Sequence, residues 1–130
     1  MKFQGCFTAL VTPFADGQVA FDALTSLVNA QIMGGVDGVV PVGTTGESPT
    51  LNMVEHLKVI EHVVGVVDGR CLVVAGTGAN ATDEALELTR KAKELGADAT
   101  LQVTPYYNKP TQEGLYRHFS AVADIGLPVI

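Results

Sequence analysis

Gly38-Val39-Val40-Pro41-Val42-Gly43-Thr44-Thr45-Gly46-Glu47-Ser48 is the stretch around which this chain is organised. Its first half is short, apolar and rich in β-branched residues, as a strand buried on both faces requires. Its second half, from Val42 to Ser48, is a glycine-bounded loop carrying two threonines. Further on, Asn52 can cap a helix and Glu55, three residues later, can reach back to it. The threonines therefore sit at the carboxyl end of a strand, just ahead of a helix. Glycines there tolerate backbone angles that other residues resist, so N–H groups can wrap a small anion while both hydroxyls donate to it. A plain strand-to-helix turn carries the same Gly-Thr pair, and the pair alone does not separate the two readings.

The pattern repeats on either side of this stretch. Cys6 to Val11 reads as a strand closed by Thr12-Pro13-Phe14, and Ala15 to Gln18 as a turn. A helix follows, capped by Asp22, running through Leu24, Leu27, Val28 and Ile32 and stopped by Gly34-Gly35. The strand Gly38 to Val42 leads to a helix over Met53 to Val66, with Val54, Leu57, Val59, Ile60, Val63 and Val64 on its apolar face. After Asp68-Gly69 come a strand at Cys71 to Ala75, a loop at Gly76 to Asn80, and a helix from Ala85 to Leu95 ended by Gly96. The fourth strand, Ala99 to Val103, opens into Thr104-Pro105-Tyr106-Tyr107-Asn108-Lys109-Pro110. A fourth helix carries Leu115, Phe119 and Val122, and Pro128-Val129-Ile130 begins a fifth strand.

Strands recurring about every 30 residues with a helix after each make βαβ units. Continuously apolar strands between amphipathic helices predict a parallel sheet covered by helices. Two α/β architectures fit: a five-stranded doubly wound sheet, or a (β/α)8 barrel, which needs about 250 residues and would here be represented by its first half. In both, the loops after the strands gather at one end, where sites form. No Gly-x-Gly-x-x-Gly fingerprint with an acidic partner and no phosphate loop follows a strand, so no nucleotide site is expected.

Composition narrows the partners. With 130 residues, 47% of them apolar, and a formal net charge of -6, the chain has the makings of one core and lacks the basic surface that nucleic acid or an anionic membrane demands. Lys2 precedes only a short apolar stretch, broken by Thr8 and Thr12-Pro13, which predicts neither a signal peptide nor a spanning helix. Cys6 and Cys71 have no metal-ligand spacing; they are expected as reduced core residues of a cytoplasmic protein, with a disulfide as the alternative.

The strand-end loops hold most of the chemically suggestive side chains: Thr44, Thr45, Glu47 and Ser48, then Thr77 and Asn80, then Thr104, Tyr106, Tyr107 and Asn108. Hydroxyls and a phenol beside an anion cradle suit a small 2-oxo acid. Proline-stiffened loops also carry aromatics simply to pack on a neighbour, and both readings of Tyr106-Tyr107 stand.

Three stretches resemble signatures of the dihydrodipicolinate synthase family: Val42 to Ser48, Ala75-Gly76-Thr77-Gly78-Ala79-Asn80-Ala81-Thr82, and Val103 to Pro110. Ala9 to Phe14 and Gln112-Glu113-Gly114-Leu115-Tyr116 agree with it. The threonine loop is shared with relatives such as N-acetylneuraminate lyase, whereas Pro-Tyr-Tyr-Asn-x-Pro points to the synthase. The resemblance implies the amino-terminal half of a (β/α)8 barrel over residues 1–130, about four βα units and the start of a fifth strand. It implies a lyase of the class I aldolase type in lysine and diaminopimelate biosynthesis. Such an enzyme condenses pyruvate with aspartate-4-semialdehyde through a Schiff base, with no metal and no external cofactor.

By the same resemblance, Thr44 and Tyr107 relay protons, Tyr107 in many members from a second subunit, and Thr44 with Thr45 holds the pyruvate carboxylate. Ser48, His56, Asn80, Glu84 and Tyr106 match an inhibitory lysine site at a dimer interface, although Met53 stands where lysine-sensitive members often carry a histidine. Asn80 is also readable as a helix cap and Glu84 as a first-turn acid. The full-length parent is expected as a homodimer or homotetramer. Its Schiff-base lysine is expected beyond Ile130, and the 130-residue chain alone is expected to be inactive. The alternatives are another pyruvate-dependent aldolase, a half-barrel interaction module, or a weak binder of small carboxylates.

Overall fold

The computed structural model describes residues 3–130, so the reading placed on Lys2 lies outside the described residues. In chain order the elements are β1 (Phe7–Ala9), β2 (Phe14–Ala15), β3 (Gln18–Val19), α1 (Phe21–Met33), β4 (Gly38–Val40), α2 (Met53–Val67), β5 (Leu72–Gly76), α3 (Thr82–Leu95), β6 (Ala99–Leu101) and α4 (Gln112–Ala123). A 3-10 turn, Ser48–Thr50, precedes α2. The main sheet is parallel in the order β1-β4-β5-β6. Val129 bridges Thr100 in parallel, and the Ile130 N–H donates to the Thr100 carbonyl, so a fifth strand begins where the sequence pattern placed it.

The strand order separates the two architectures. A doubly wound sheet turns back past its first strand and puts helices on both faces. Here each crossover advances one strand in the same direction, which wraps the helices over one face and curves the sheet as a barrel wall. Residues level in the register share a face, and Thr8, Val39 and Val73 are level. Val39, Val73 and Ala75 pack with Leu24 and Val28 of α1 and with Val59, Ile60, Val63 and Val67 of α2 in one buried cluster. On the opposite face Phe7, Val40 and Leu101 are only half-buried.

Local chemistry explains most boundaries, with several departures from the sequence reading. The α2 capping box forms as read: the Asn52 side chain accepts from the Glu55 N–H at 3.0 Å, and the Asn52 N–H donates to Glu55 Oε2 at 3.1 Å. In α1, by contrast, Asp22 is not the cap. The helix starts at Phe21 after Ala20, which has no side-chain cap bond, and Asp22 lies in the first turn, where a carboxylate favours the helix dipole. Asn80 does not cap α3 either; Ala81 holds that position.

The turn over Ala15 to Gln18 is the tip of a small hairpin, in which Phe14 pairs with Val19. Strands β1, β4 and β6 are shorter than their apolar runs, and β4 gives way directly to the turn at Pro41 and Val42. Val54 faces solvent rather than the core at 61% exposure. Both cysteines are free, so no disulfide joins them; Cys6 is exposed and therefore not a core residue, whereas Cys71 is half-buried and packs against the main hydrophobic cluster.

Asn52→Ala removes the acceptor of the Glu55 N–H and orphans that one donor at the start of α2, while the residue-52 N–H keeps Glu55 Oε2; it is expected to destabilise the fold by about 1 kcal/mol. Urea unfolding followed by circular dichroism checks this, with an unchanged slope showing that compactness is preserved.

Candidate active site

Because the sheet is parallel, the loops after β4, β5 and β6 all emerge at one end. They enclose a cavity of about 510 Å³ whose walls include Val42, Gly43, Thr44, Ser48, Gly76, Gly78, Leu101 and Tyr106. Close backbone approach shapes it. A Cβ on Gly76 would stand 2.3 Å from the Val42 carbonyl oxygen, and one on Gly78 2.3 Å from the Val103 nitrogen. Both distances are far inside van der Waals contact, so only glycine lets the strand ends meet here.

The threonine loop is held in a strained form. Val42, a β-branched residue, adopts φ 48° in the left-handed region, a conformation that costs on the order of 1–3 kcal/mol. Glu47 follows at φ 59°. Inside the loop, the N–H groups of Gly46 and Ser48 donate to the Gly43 carbonyl, and that of Glu47 to the Thr44 carbonyl. The N–H groups of Thr44 and Thr45 have no acceptor among the described residues. Two unpaired donors and two exposed hydroxyls thus stand together at the loop tip, which is the chemistry of a carboxylate cradle.

Beneath the loop lies His56, buried on α2. Its Nε2 is 2.7 Å from the Gly76 carbonyl oxygen. A carbonyl can only accept, so Nε2 carries the proton. Burial holds this imidazole below its ordinary pKa, and the hydrogen bond to Gly76 offsets part of that effect. His118, buried on α4, is lowered by burial as well; its Nδ1 meets the Thr82 hydroxyl at 2.9 Å, and its Nε2 has no partner among the described residues.

The site residues expected from the sequence divide into two groups. Thr44, Ser48 and Tyr106 line the cavity. Thr45 lies beside Thr44 but outside the cavity wall. Tyr107 projects away from it at 96% exposure. A three-residue turn aims this phenol: the Asn108 N–H donates to the Tyr106 carbonyl at 2.9 Å across Tyr107, whose φ is 72°. Asn80 is half-buried and its carbonyl accepts from the Asn108 side chain, while Glu84 is exposed in the first turn of α3.

Thr77 does not join the converging hydroxyls. It is fully buried against α3, bonded to Thr89 and Thr100, with Gln102 Nε2 2.7 Å from its hydroxyl. Its β-branched shape and position in a Gly-Thr-Gly run disguised a side chain that fastens β5 and β6 to the helix layer. Thr12 went unread as well. Its hydroxyl donates to the Gly46 carbonyl at 2.7 Å, and no local signal in Thr-Pro foretells a contact 34 residues away.

A sequence model of the Dihydrodipicolinate synthetase family matches residues 2–130. The chain belongs to this family. The 4-hydroxy-tetrahydrodipicolinate synthase of Bradyrhizobium diazoefficiens is 60% identical over 130 residues, which are 99% of this chain and 44% of that protein. The chloride-inhibited dihydrodipicolinate synthase of Acinetobacter baumannii, solved in complex with pyruvate, superposes with a TM-score of 0.95 at 53% identity, over 98% of this chain and 45% of that one. The Cyanidioschyzon merolae enzyme with lysine bound gives 0.91 at 44% identity, over 95% and 43%.

The chain therefore spans a little under half the length of these relatives. It has the fold of the amino-terminal half of their barrel, as the resemblance implied. Among the described residues no cluster of metal-ligating side chains occurs, and no helix is long and apolar enough to cross a membrane.

The buried imidazoles set an acid limit. A histidine whose folded pKa is lowered is neutral in the fold while the unfolded chain still binds the proton. Stability is then fully present above about pH 6.5 and lost as pH falls towards the depressed value. Unfolding free energy is expected to drop by up to about 1.4 kcal/mol per pH unit per histidine below pH 6.5. His56→Gln should flatten that slope in denaturant titrations at pH 5 to 7.

Proposed function

We propose that the chain is the amino-terminal portion of a 4-hydroxy-tetrahydrodipicolinate synthase, forming one partial-barrel domain over residues 1–130. In that enzyme it supplies the wall of the site that condenses pyruvate with aspartate-4-semialdehyde, in the lysine and diaminopimelate route of the cytoplasm. One observation carries the reading: the Thr44 hydroxyl bearer lines the strand-end cavity, next to the unpaired N–H groups of Thr44 and Thr45. The pyruvate carboxylate accepts from these N–H groups and from the Thr45 hydroxyl. Thr44 passes protons at the reacting carbon as the enamine forms. Tyr107, which faces away from its own cavity, completes the relay in a second copy of the chain, so the working enzyme is at least a homodimer.

The covalent step needs an amine at the cavity, and none of the described lysines lines it. Lys58 is exposed on α2, and Lys91 pairs with Glu94 at 2.8 Å on the outer face of α3. Lys93 donates to the Ile125 carbonyl, and Lys109 is exposed on its loop. The imine-forming lysine accordingly belongs to polypeptide outside these residues.

A lysine effector site formed by Ser48, His56, Asn80, Glu84 and Tyr106 draws support from the lysine-bound relative. His56 enters it indirectly, because its Nε2 proton is committed to Gly76. A second reading, a half-barrel that pairs with another chain, is favoured by the half-buried apolar face of Phe7, Val40 and Leu101.

In the full-length synthase, Thr44→Val is expected to lower kcat about a hundredfold or more, the usual weight of a proton-relay group. A coupled assay should find no pyruvate-dependent turnover by the 130-residue chain alone. An unaltered rate in Thr44→Val would remove the relay, and turnover by the short chain would remove the external lysine.

A further inference from the structure

We propose that Thr12 is a positioning residue for the pyruvate-binding loop, acting through the Gly46 carbonyl; this rests on the synthase reading above. Thr12 follows β1 and is buried at 4% exposure, although it stands between an exposed Val11 and a half-buried Pro13. Its Oγ1 donates to the Gly46 oxygen at 2.7 Å. The other side-chain bond to the loop among the described residues is local, from the Thr50 hydroxyl to the Glu47 carbonyl at 2.8 Å. Thr12 is thus the tether that joins the threonine loop to a different strand.

The tether acts where the loop has least freedom. Gly46 is wedged so closely that a Cβ would stand 2.9 Å from the Val42 nitrogen and Cα and 3.1 Å from the Leu10 carbonyl oxygen. Leu10 in turn donates its N–H to the Val40 carbonyl at 3.0 Å, which fixes the end of β1 against β4. Gly46 is therefore pinned from three sides: by the strained Val42, by the β1 backbone and by the Thr12 hydroxyl. Thr44 and Thr45 are the two residues strung between that pinned glycine and Gly43. Without the Thr12 bond, the Gly46 carbonyl is buried and unpaired and must turn towards another donor; its rotation tilts the Gly46–Glu47 peptide and shifts the Gly46 Cα to which the threonine pair is tied. The cradle then loses its aim while every group that touches pyruvate remains present.

The test uses the full-length synthase with Thr12→Val, which keeps the shape and removes the donor, and Thr12→Ser, which restores it. Thr12→Val is expected to raise KM for pyruvate and lower kcat/KM about tenfold. KM for the semialdehyde should move less than twofold, and Thr12→Ser should recover most of the loss. Amide exchange at Gly46 to Ser48 should quicken in Thr12→Val and not in Thr12→Ser.

A Thr12→Val enzyme that loses thermal stability but keeps pyruvate kinetics within twofold would overturn the assignment, as would a Ser variant no better than Val. If Thr12→Val does not fold, Thr12→Ala is read by the same criteria, and a Ser variant as impaired as either also counts against it. Thr44→Val runs alongside: normal turnover there defeats the synthase reading itself, whereas a dead Thr44→Val with an unaffected Thr12→Val defeats only the tether.

Discussion

The site depends on backbone packed against backbone at the ends of β4 and β5. Gly76 lies under the Val42 carbonyl with no room for a Cβ, and Gly46 lies over the Val42 nitrogen in the same way. Val42 is caught between two glycines and forced into the left-handed region, where a β-branched side chain is unwelcome. The penalty is sustained because the Val42 side chain is buried in the main core, so relaxing its backbone would pull it out of that packing. The orientation of Thr44 follows from that compromise. So does the position of His56, whose proton fastens the Gly76 carbonyl from below.

Around this point the molecule divides its labour by face. The helix-facing side of the sheet carries the hydrophobic cluster and, besides the His56–Gly76 bond, a polar fastening, the Thr77–Thr89–Thr100–Gln102 group. Its three hydroxyls and the Gln102 Nε2 bond to one another, the Gln102 Oε1 having no partner among the described residues, and that shared bonding fixes the ends of β5 and β6 relative to α3. The carboxyl end carries the exposed donors. Stability and chemistry are thus built from different residues of the same short loops: Thr77 is structural, and Thr44, one strand earlier, faces the cavity.

Periodicity revealed the four helices, the parallel sheet and the start of a fifth strand, because each depends on local patterns of apolar and turn residues. The choice between doubly wound sheet and barrel did not follow from periodicity. It turns on the direction of each crossover, which Gly38 to Ser48 leaves open and the resemblance of three loops supplied. The Asn52–Glu55 box was legible since both partners lie within one turn. Asp22 misled because a good capping residue one position inside a helix looks the same as one at its start. Of the site, Thr44, Ser48 and Tyr106 were found as cavity residues. The role of Thr77 and the contact of Thr12 were not, since each is defined by a partner far along the chain, and hydroxyl chemistry alone does not say which way a side chain turns.

The winding order has a consequence for how such a chain is made. Each helix packs on the one before it, α2 on α1, α3 on α2 and α4 on α3, and each strand pairs with its predecessor in the sheet. Every unit thus finds its docking partner already synthesised, and the separations to be closed stay near the length of one repeat, which favours rapid, vectorial acquisition of structure. On the ribosome, a nascent polypeptide wound in this manner can set its first half in place as it emerges, like masonry laid course upon course.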